Sequence, residues 1–495
     1  DIPFAAAGKT DGNVTYGGSI TDDVGVLVAV TTTTGGSKTF TGAISDGNDG
    51  DGSGIVLTTN TGTTITFSGG LVLSTGGNPA FTATGGGTVN VCDENPCNPA
   101  ATGGLVNRLT TTTGSALNVA NTTIGANNLE FQSVSSNGAT RAIILNTTGA
   151  VGGLKVNGTG SAGSGGTIQN CTQRGAELIS TSNVSLVRMN FTNNATVVGA
   201  PCGSAALVTS NNTGCNGPIY LQSANTAVLD NLVISGSTQQ GIVALDTTGL
   251  TLSNSTLTGL GNGPDEDGLH ITNLLGTNAI SSTSISGSGD DNVNIQNLSG
   301  TSTINVTGGS FNTGVLGSGL LFGIRGTSNT TITVTGTTVD NNFSGGIVAD
   351  TYDTATLSID VGSSIVTNNN DGIQVSAGQT ANAQYDIHDN PNISGQDFLA
   401  ITLLKAAFST GGTLEGAVRN NVITIANGRP TDGIFVFQAG GGSLRTAIQN
   451  NTINYAGTQR AILLQAGQDG NGSIESTITG NNIDIQLDGA RKSVV

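Results

Sequence analysis

The chain is poor in charge. Only 9% of its 495 residues are Asp, Glu, Lys or Arg, against about 25% in a typical globular domain. It has no Trp, one Met and two His. Its 15 bases against 32 acids exclude nucleic acid and anionic membranes as partners, because little is present to neutralise phosphates. No run of eighteen apolar residues occurs, which excludes a membrane-crossing helix. The opening DIPFAAAGKT lacks the basic start and long apolar stretch of a signal peptide. The sequence therefore reads as a mature product or a piece of something longer. With only His270 and His388 beside five cysteines, a four-ligand zinc pattern is missing.

What is present is Gly (77 residues), Ser, Thr and Asn, interleaved with aliphatics. Disorder needs few aliphatics and high charge, whereas 35% of this chain is hydrophobic. The net charge of −17 serves solubility in a large secreted protein. Cys92 and Cys97 bracket DENP, and Cys202 and Cys215 bracket a short loop. Two local disulfides and an oxidising compartment are expected, with Cys171 left over.

The chain also repeats itself. AVRNNVI, AIQNNTI and TITGNNI begin at 417, 447 and 477. Each holds two aliphatics five apart: Val418 and Ile423, Ile448 and Ile453, Ile478 and Ile483. Residues five apart on a flat strand face opposite sides, so both reach one core only if the chain bends between them. Asn tolerates the left-handed conformation of such a bend, which makes Asn421, Asn451 and Asn481 corner residues. Similar pairs run from Val119 and Ile124 to Val334 and Val339. Ile365 and Ile393 extend the series with Asp360 and His388 in the partner positions.

A second series places Ile242, Leu269, Val293, Leu320, Ile347, Ile373, Leu399, Ile434 and Ile462 inward, mostly 24 to 28 residues apart. Two phase-locked series of short, alternating segments bounded by Gly, Asn or Asp mean one unit repeated. The fold class is all-β: a parallel β-helix, or β-solenoid, with three short strands per coil of 23–30 residues. Phe40, Phe67 and Val91 form a looser series, as do Ile55, Phe81, Leu105 and Leu129. The expected organisation is an extension or cap at 1–30, coils at 31–124, uncertain register at 125–165, a regular β-helix at 166–488 with a loop insertion at 201–216, and a tail at 489–495.

The corner Asn residues, the DGIQV-type strand and the coil length resemble right-handed parallel β-helix proteins of the pectate-lyase-like class. GSKTFTGAIS and NTGTTITFSGGLVLSTGG look like the strand repeats of large bacterial surface proteins. Right-handedness is implied by this resemblance alone, and the fold hosts enzymes, adhesins and inert stalks alike.

Two candidate regions follow. In GPDEDG and GDDN, successive coils bring Asp265, Glu266, Asp267, Asp290 and Asp291 together, with His270 on the same strand. Crowded carboxylates raise one another's pKa or recruit a cation. In pectinolytic relatives such clusters bind calcium or supply the acid and base. This patch is thus the candidate metal or sugar site, with Ca2+ the one cofactor it suggests. Against catalysis, Asp-Gly is ordinary turn chemistry, no Gly-His-Gly or Arg-Ile-Lys signature occurs, and no Arg or Lys faces the patch. The second region is apolar. Val348, Phe435, Phe437 and Leu463 point outward, and Leu404 lies in the apolar segment ITLLKAAF. A strand apolar on both faces is buried on both, here under the 401–412 segment or another chain. No amphipathic capping helix is visible at either end, which would suit head-to-tail assembly. The sequence thus points to a non-catalytic, extracellular surface protein, an adhesin stalk or fibre subunit that self-associates end to end or laterally. The alternative is a polysaccharide-binding or polysaccharide-degrading β-helix using the acidic patch.

Overall fold

Val418 and Ile423 both have no exposed surface, as do Ile448 and Ile453. The bend between each pair is therefore real. In the computed structural model, which describes residues 2–8, 11–22, 25–47, 52–100, 104, 106–197, 215–426, 428–467 and 472–485, Ser443–Gln449 ends one strand and Thr452–Tyr455 begins the next. The first Asn of each doublet, Asn420 or Asn450, takes the left-handed conformation with φ of 58° or 55°, and Gly480 does so in the third copy. The second Asn is buried and holds the corner by hydrogen bonds. Asn451 Nδ2 donates to Val418 O and to Asn481 Oδ1, both at 2.9 Å, while its Oδ1 accepts from Asn421 Nδ2 at 3.0 Å. Asn390 donates to Asn421 in the same way, at 2.8 Å.

The described residues are all-β, stacked as about 17 turns of a parallel β-solenoid with three strands to a turn. One turn is Gly345–Thr351, Thr356–Gly362 and Ile365–Thr367; the next is Asp371–Ala377, Asn382–His388 and Asn392–Ser394. We call the ladders built by the first, second and third strands of each turn sheets 1, 2 and 3. Neighbouring turns pair in parallel on every sheet, as Ile347 with Ile373, Val361 with Ile387 and Val366 with Ile393. Ile423, Ile453 and Ile483 lie in one row. Stacked strands lie about 4.8 Å apart, so each apolar row fills the interior continuously.

The chain forms two compact units. The first contains the described residues up to Leu257, and the second those from Thr258 onward. In the first, the interior is aromatic near the start. Phe40 stacks on Phe67 at 4.8 Å, and Phe67 meets Phe81 edge-on at 5.8 Å. Residues 1–30 contain the strands Phe4–Ala7, Val14–Tyr16 and Ile20–Asp22, which pair with the following turn. Phe40, Phe67 and Val91 share a row as expected. Leu129 joins that row rather than the Ile55–Phe81 row, which continues through Leu117. The cause is a longer turn, 36 residues from Phe81 to Leu117 against 26 from Ile55 to Phe81, and a bulge follows it. Ile124 and Leu129 sit opposite Val89 and Val91, so three extra residues are extruded, and Asn128 turns left-handed at φ 59°. That bulge is where the repeat register fades at 125–165.

In the second unit the register differs from expectation in two places. Ile365 is 39% exposed, and Val366 takes the interior position. The true pairs are therefore Val361 with Val366 and Ile387 with Ile393, and Asp360 and His388 face outward. Similarly Ile401, not Leu399, continues the row from Ile373 to Ile434. Residues 399–405 are themselves a strand of sheet 1, so the first half of the 401–412 segment is part of the ladder and does not fold back over it. The Cys92–Cys97 disulfide is formed, and Cys171 is a buried free thiol. Cys215 is buried, while Cys202 and nearly all of the 201–216 loop lie outside the described residues. Among the described residues no helix is long and apolar enough to cross a membrane.

One interior residue is out of place chemically. Lys405 is fully buried, and among the described residues its Nζ reaches only Ala381 O, at 3.4 Å. Burial pushes its ammonium from 10.5 down to about 8. Between those two pH values the unfolded chain holds a proton that the folded chain has released, so stability rises with pH across that window. Below pH 8 both states are protonated and the full burial cost remains. Lys405→Met keeps the volume and removes the charge. In urea titrations at pH 7 and pH 10 the variant is expected to exceed the parent by up to about 3 kcal/mol at pH 7, with the gap closing toward pH 10. A pH-independent gap would refute the assignment.

Candidate functional site

The acidic loops enter sheet 1 of the second unit through GPDEDG and GDDN. Asp265 adopts a left-handed conformation, φ 59°, which turns the first loop so that its backbone meets the second. Gly268 N donates to Asp291 O at 2.9 Å, and Asp290 N to Glu266 O at 2.8 Å. The carboxylates then close the loops. Asp267 Oδ1 accepts from Asp291 N at 3.0 Å, Asp290 Oδ2 from Asp265 N at 2.9 Å, and Asp291 Oδ1 from Ser318 N. Glu266 bonds within its own loop, accepting from Asn262 N and Gly263 N. Asp267, Asp290 and Asp291 each bring an oxygen within 4.8 Å of the others, a spacing that could hold a cation. Glu266 and the Asp265 carboxylate are not in that group. Asp267 Oδ2 lies 2.6 Å from His270 Nδ1, and both side chains have no exposed surface.

Burial holds the Asp291 carboxyl well above the usual range, and the neighbouring Asp267 charge adds to it. Asp290 is raised for the same reasons, burial first. These shifts predict that Asp291→Asn, which keeps an oxygen for Ser318 N, removes repulsion without losing the bond. Its melting temperature at pH 7 should equal or exceed the parent's, with a gain of about 1 kcal/mol. A clear loss would mean that the charge itself holds the loops.

Beyond the loops lies a cleft of about 370 Å³ lined by Asp290, Asp291, Asp350 and Asp371, with Leu321 and Val348. Among the described residues no Lys or Arg lines it. A larger hollow of about 510 Å³ on sheet 2 carries Glu415, Arg445 and Glu475. There the charges pair with one another, Arg445 lying 3.3 Å from Glu475 and 3.8 Å from Glu415. The size of the hollow is therefore a poorer guide to function than the uncompensated charge of the cleft.

The apolar residues separate into two places. One outward row of sheet 1 runs Leu321, Val348, Gln374, Thr402, Phe435, Leu463. Val348 belongs with Leu321 at the acidic cleft, three turns from Phe435. Phe435 and Phe437 stack at 5.5 Å, and Leu404 pairs with Phe437. Leu404, Phe435, Phe437 and Leu463 are all half-exposed.

Two polar groups were not anticipated. In the first unit, Glu177 is buried between Arg174 at 2.6 Å and Arg141 at 2.7 Å, with the Arg174 guanidinium 3.5 Å above the Tyr220 ring. In the second, Asp360, Asp386 and His388 gather on the outward face of sheet 2. Burial opposes the charged imidazole, but the Asp389 hydrogen bond and the Asp360 and Asp386 charges outweigh it and raise its pKa. The signal for this group was the mismatch of Asp360 and His388 with an apolar pair series.

No protein-family description matches the chain, and no curated protein or solved structure matches it.

Proposed function

We propose that the chain is a non-catalytic structural protein of the extracellular space or cell surface, a stalk or a fibre subunit built from stacked coils. The supporting observation is how the acidic loops use their carboxylates. Asp267, Asp290 and Asp291 each accept a backbone N–H from the loop of a neighbouring turn, and Glu266 accepts those of its own, which is the work of fastening loops together. Asp267 and His270 have no surface at which a substrate could reach them, so polysaccharide cleavage by this pair is the weaker reading. Kinship with pectate-lyase-like β-helices or with strand-repeat surface proteins is part of the proposal and rests on the resemblance alone. A secreted location is favoured by the Cys92–Cys97 bond.

Self-association is assigned to the patch of half-exposed Leu404, Phe435, Phe437 and Leu463, since apolar side chains clustered at a surface mark contact sites. Negative-stain imaging and sedimentation test it. The parent is expected to form multimers or fibres, and Phe435→Asp to remain folded but monomeric. A parent that stays monomeric, or a variant that assembles equally well, refutes the assembly. Turnover of an acidic polysaccharide that disappears in Asp291→Asn would refute the non-catalytic role.

A further inference from the structure

We propose that the outward face of sheet 1 in the second unit, over the cleft between Asp290 and Asp371, is a docking groove for an extended basic peptide segment presenting lysine or arginine side chains. The inference goes beyond the scaffold role and uses different residues from the assembly patch.

Charge comes first. Among the described residues four aspartates line the cleft and no base does. Asp350 is held by Gln374 Nε2 at 3.1 Å and Ser376 Oγ at 2.5 Å, both neutral. Asp371 keeps a buried Oδ1 with no partner among the described residues. Burial raises Asp290, Asp291 and Asp371, the state of carboxylates that lack a counter-charge.

Unpartnered polar groups line the same face. His270, Asn294, Leu321, Val348, Gln374 and Thr402 occupy one outward row. His270 is fully buried and Thr402 is 5% exposed, yet His270 Nε2 and Thr402 Oγ1 have no hydrogen-bond partner among the described residues. Buried polar atoms left unpaired are costly, and of His270, Thr402 and Asp371 it is the Asp371 carboxylate that lines the cleft, where a ligand would offer it a partner.

The groove also has rims. On the side where the chain enters sheet 1, Leu316 is 45%, Phe343 68% and Phe398 57% exposed. These residues are tied turn to turn, Phe343 N donating to Gly314 O and Phe398 N to Asn370 O. On the side where the chain leaves, Tyr352 lies 5.5 Å from Phe408, itself 58% exposed. The Arg325 guanidinium sits 5.0 Å over Tyr352, so this rim already accepts a cation on an aromatic face.

Acidic floor and aromatic rims together select the occupant. A neutral glycan could stack on the rings, but it would bury the carboxylates further without supplying charge. A basic side chain neutralises them, and its aliphatic stem packs against Leu321 and Val348.

The test uses the full chain and a short labelled peptide of alternating lysine and serine, followed by fluorescence anisotropy. The parent should bind saturably, more weakly as salt rises. Asp350→Asn with Asp371→Asn should lose affinity about tenfold, and so should Phe343→Ser with Phe398→Ser. Glu415→Gln with Glu475→Gln removes the same charge from sheet 2 and should change nothing. The phenylalanines are exposed, so that pair remains informative if the aspartate pair fails to fold. Equal binding by all variants, equal loss in the sheet 2 control, or no binding by the parent would each overturn the proposal. So would a neutral oligosaccharide that binds the parent but not the groove variants while the peptide does not.

Discussion

Arg174→Ala should be among the most destabilising single changes in the first unit, costing about 3–5 kcal/mol. Arg174 is 5% exposed, and its guanidinium serves several partners. Nη1 meets Glu177 Oε2 at 2.6 Å, Nη2 and Nε donate to Cys215 O at 3.0 and 3.3 Å, and the plane covers the Tyr220 ring. Truncation leaves Glu177 buried with Arg141 alone, and the side chain of Arg141 is 39% exposed. It also takes two donors from the Cys215 carbonyl and the cover from an aromatic face. Arg141→Ala is the control. Water can replace this more exposed partner, so the loss should be about 1 kcal/mol. Urea denaturation of both variants checks the ranking. Because stacked repeats can unfold in parts, amide exchange across 174–187 and 217–222 should localise the loss. Equal effects for the two arginines would show that Glu177 is not dependent on its buried partner.

That network was invisible in the sequence for a definable reason. Its members sit at 141, 174, 177, 215 and 220, on turns separated by 33 and 43 residues where Arg141, Arg174 and Gly217 align. A charged residue in an alternating strand ordinarily reads as solvent-facing, and only three-dimensional stacking buries these together. The interior rows were legible because aliphatics five apart recur with the turn, and Ile423, Ile453 and Ile483 stack as that spacing requires. Legibility failed wherever a turn gained residues. The 36-residue turn from Phe81 to Leu117 displaced one row, and Pro391 lengthens the corner between Ile387 and Ile393 by one residue relative to Val418 and Ile423. The clustering of Asp267, Asp290 and Asp291 was legible from adjacent turns. The groove beside it was not, because its rims come from turn residues such as Phe343 and Phe408 that obey no strand period.

The asparagine doublets allow a sharper separation of roles within one corner. Asn451→Ala should cost about 3 kcal/mol, because it leaves several buried groups unpaired at once. Asn451 has no exposed surface. Its loss takes a donor from Val418 O, takes one of two from Asn481 Oδ1, which keeps the Asn451 N–H at 2.9 Å, and strands the backbone N–H of Asn421, which bonds Asn451 Oδ1 at 3.0 Å. Asn450, one residue earlier, is exposed, and its contribution is the left-handed φ of 55°. Gly meets that requirement without strain, as Gly480 does in the following turn, so Asn450→Gly should change stability by only a few tenths of a kcal/mol. Asn450→Val, with a branched Cβ in that conformation, should cost about 1–2 kcal/mol. Thermal melts of the three variants, with exchange rates at Asn421 and Val422, distinguish the ladder from the bend. If Asn451→Ala proved as mild as Asn450→Gly, the stacked amides would be passengers, and the corner would be held by the apolar rows alone.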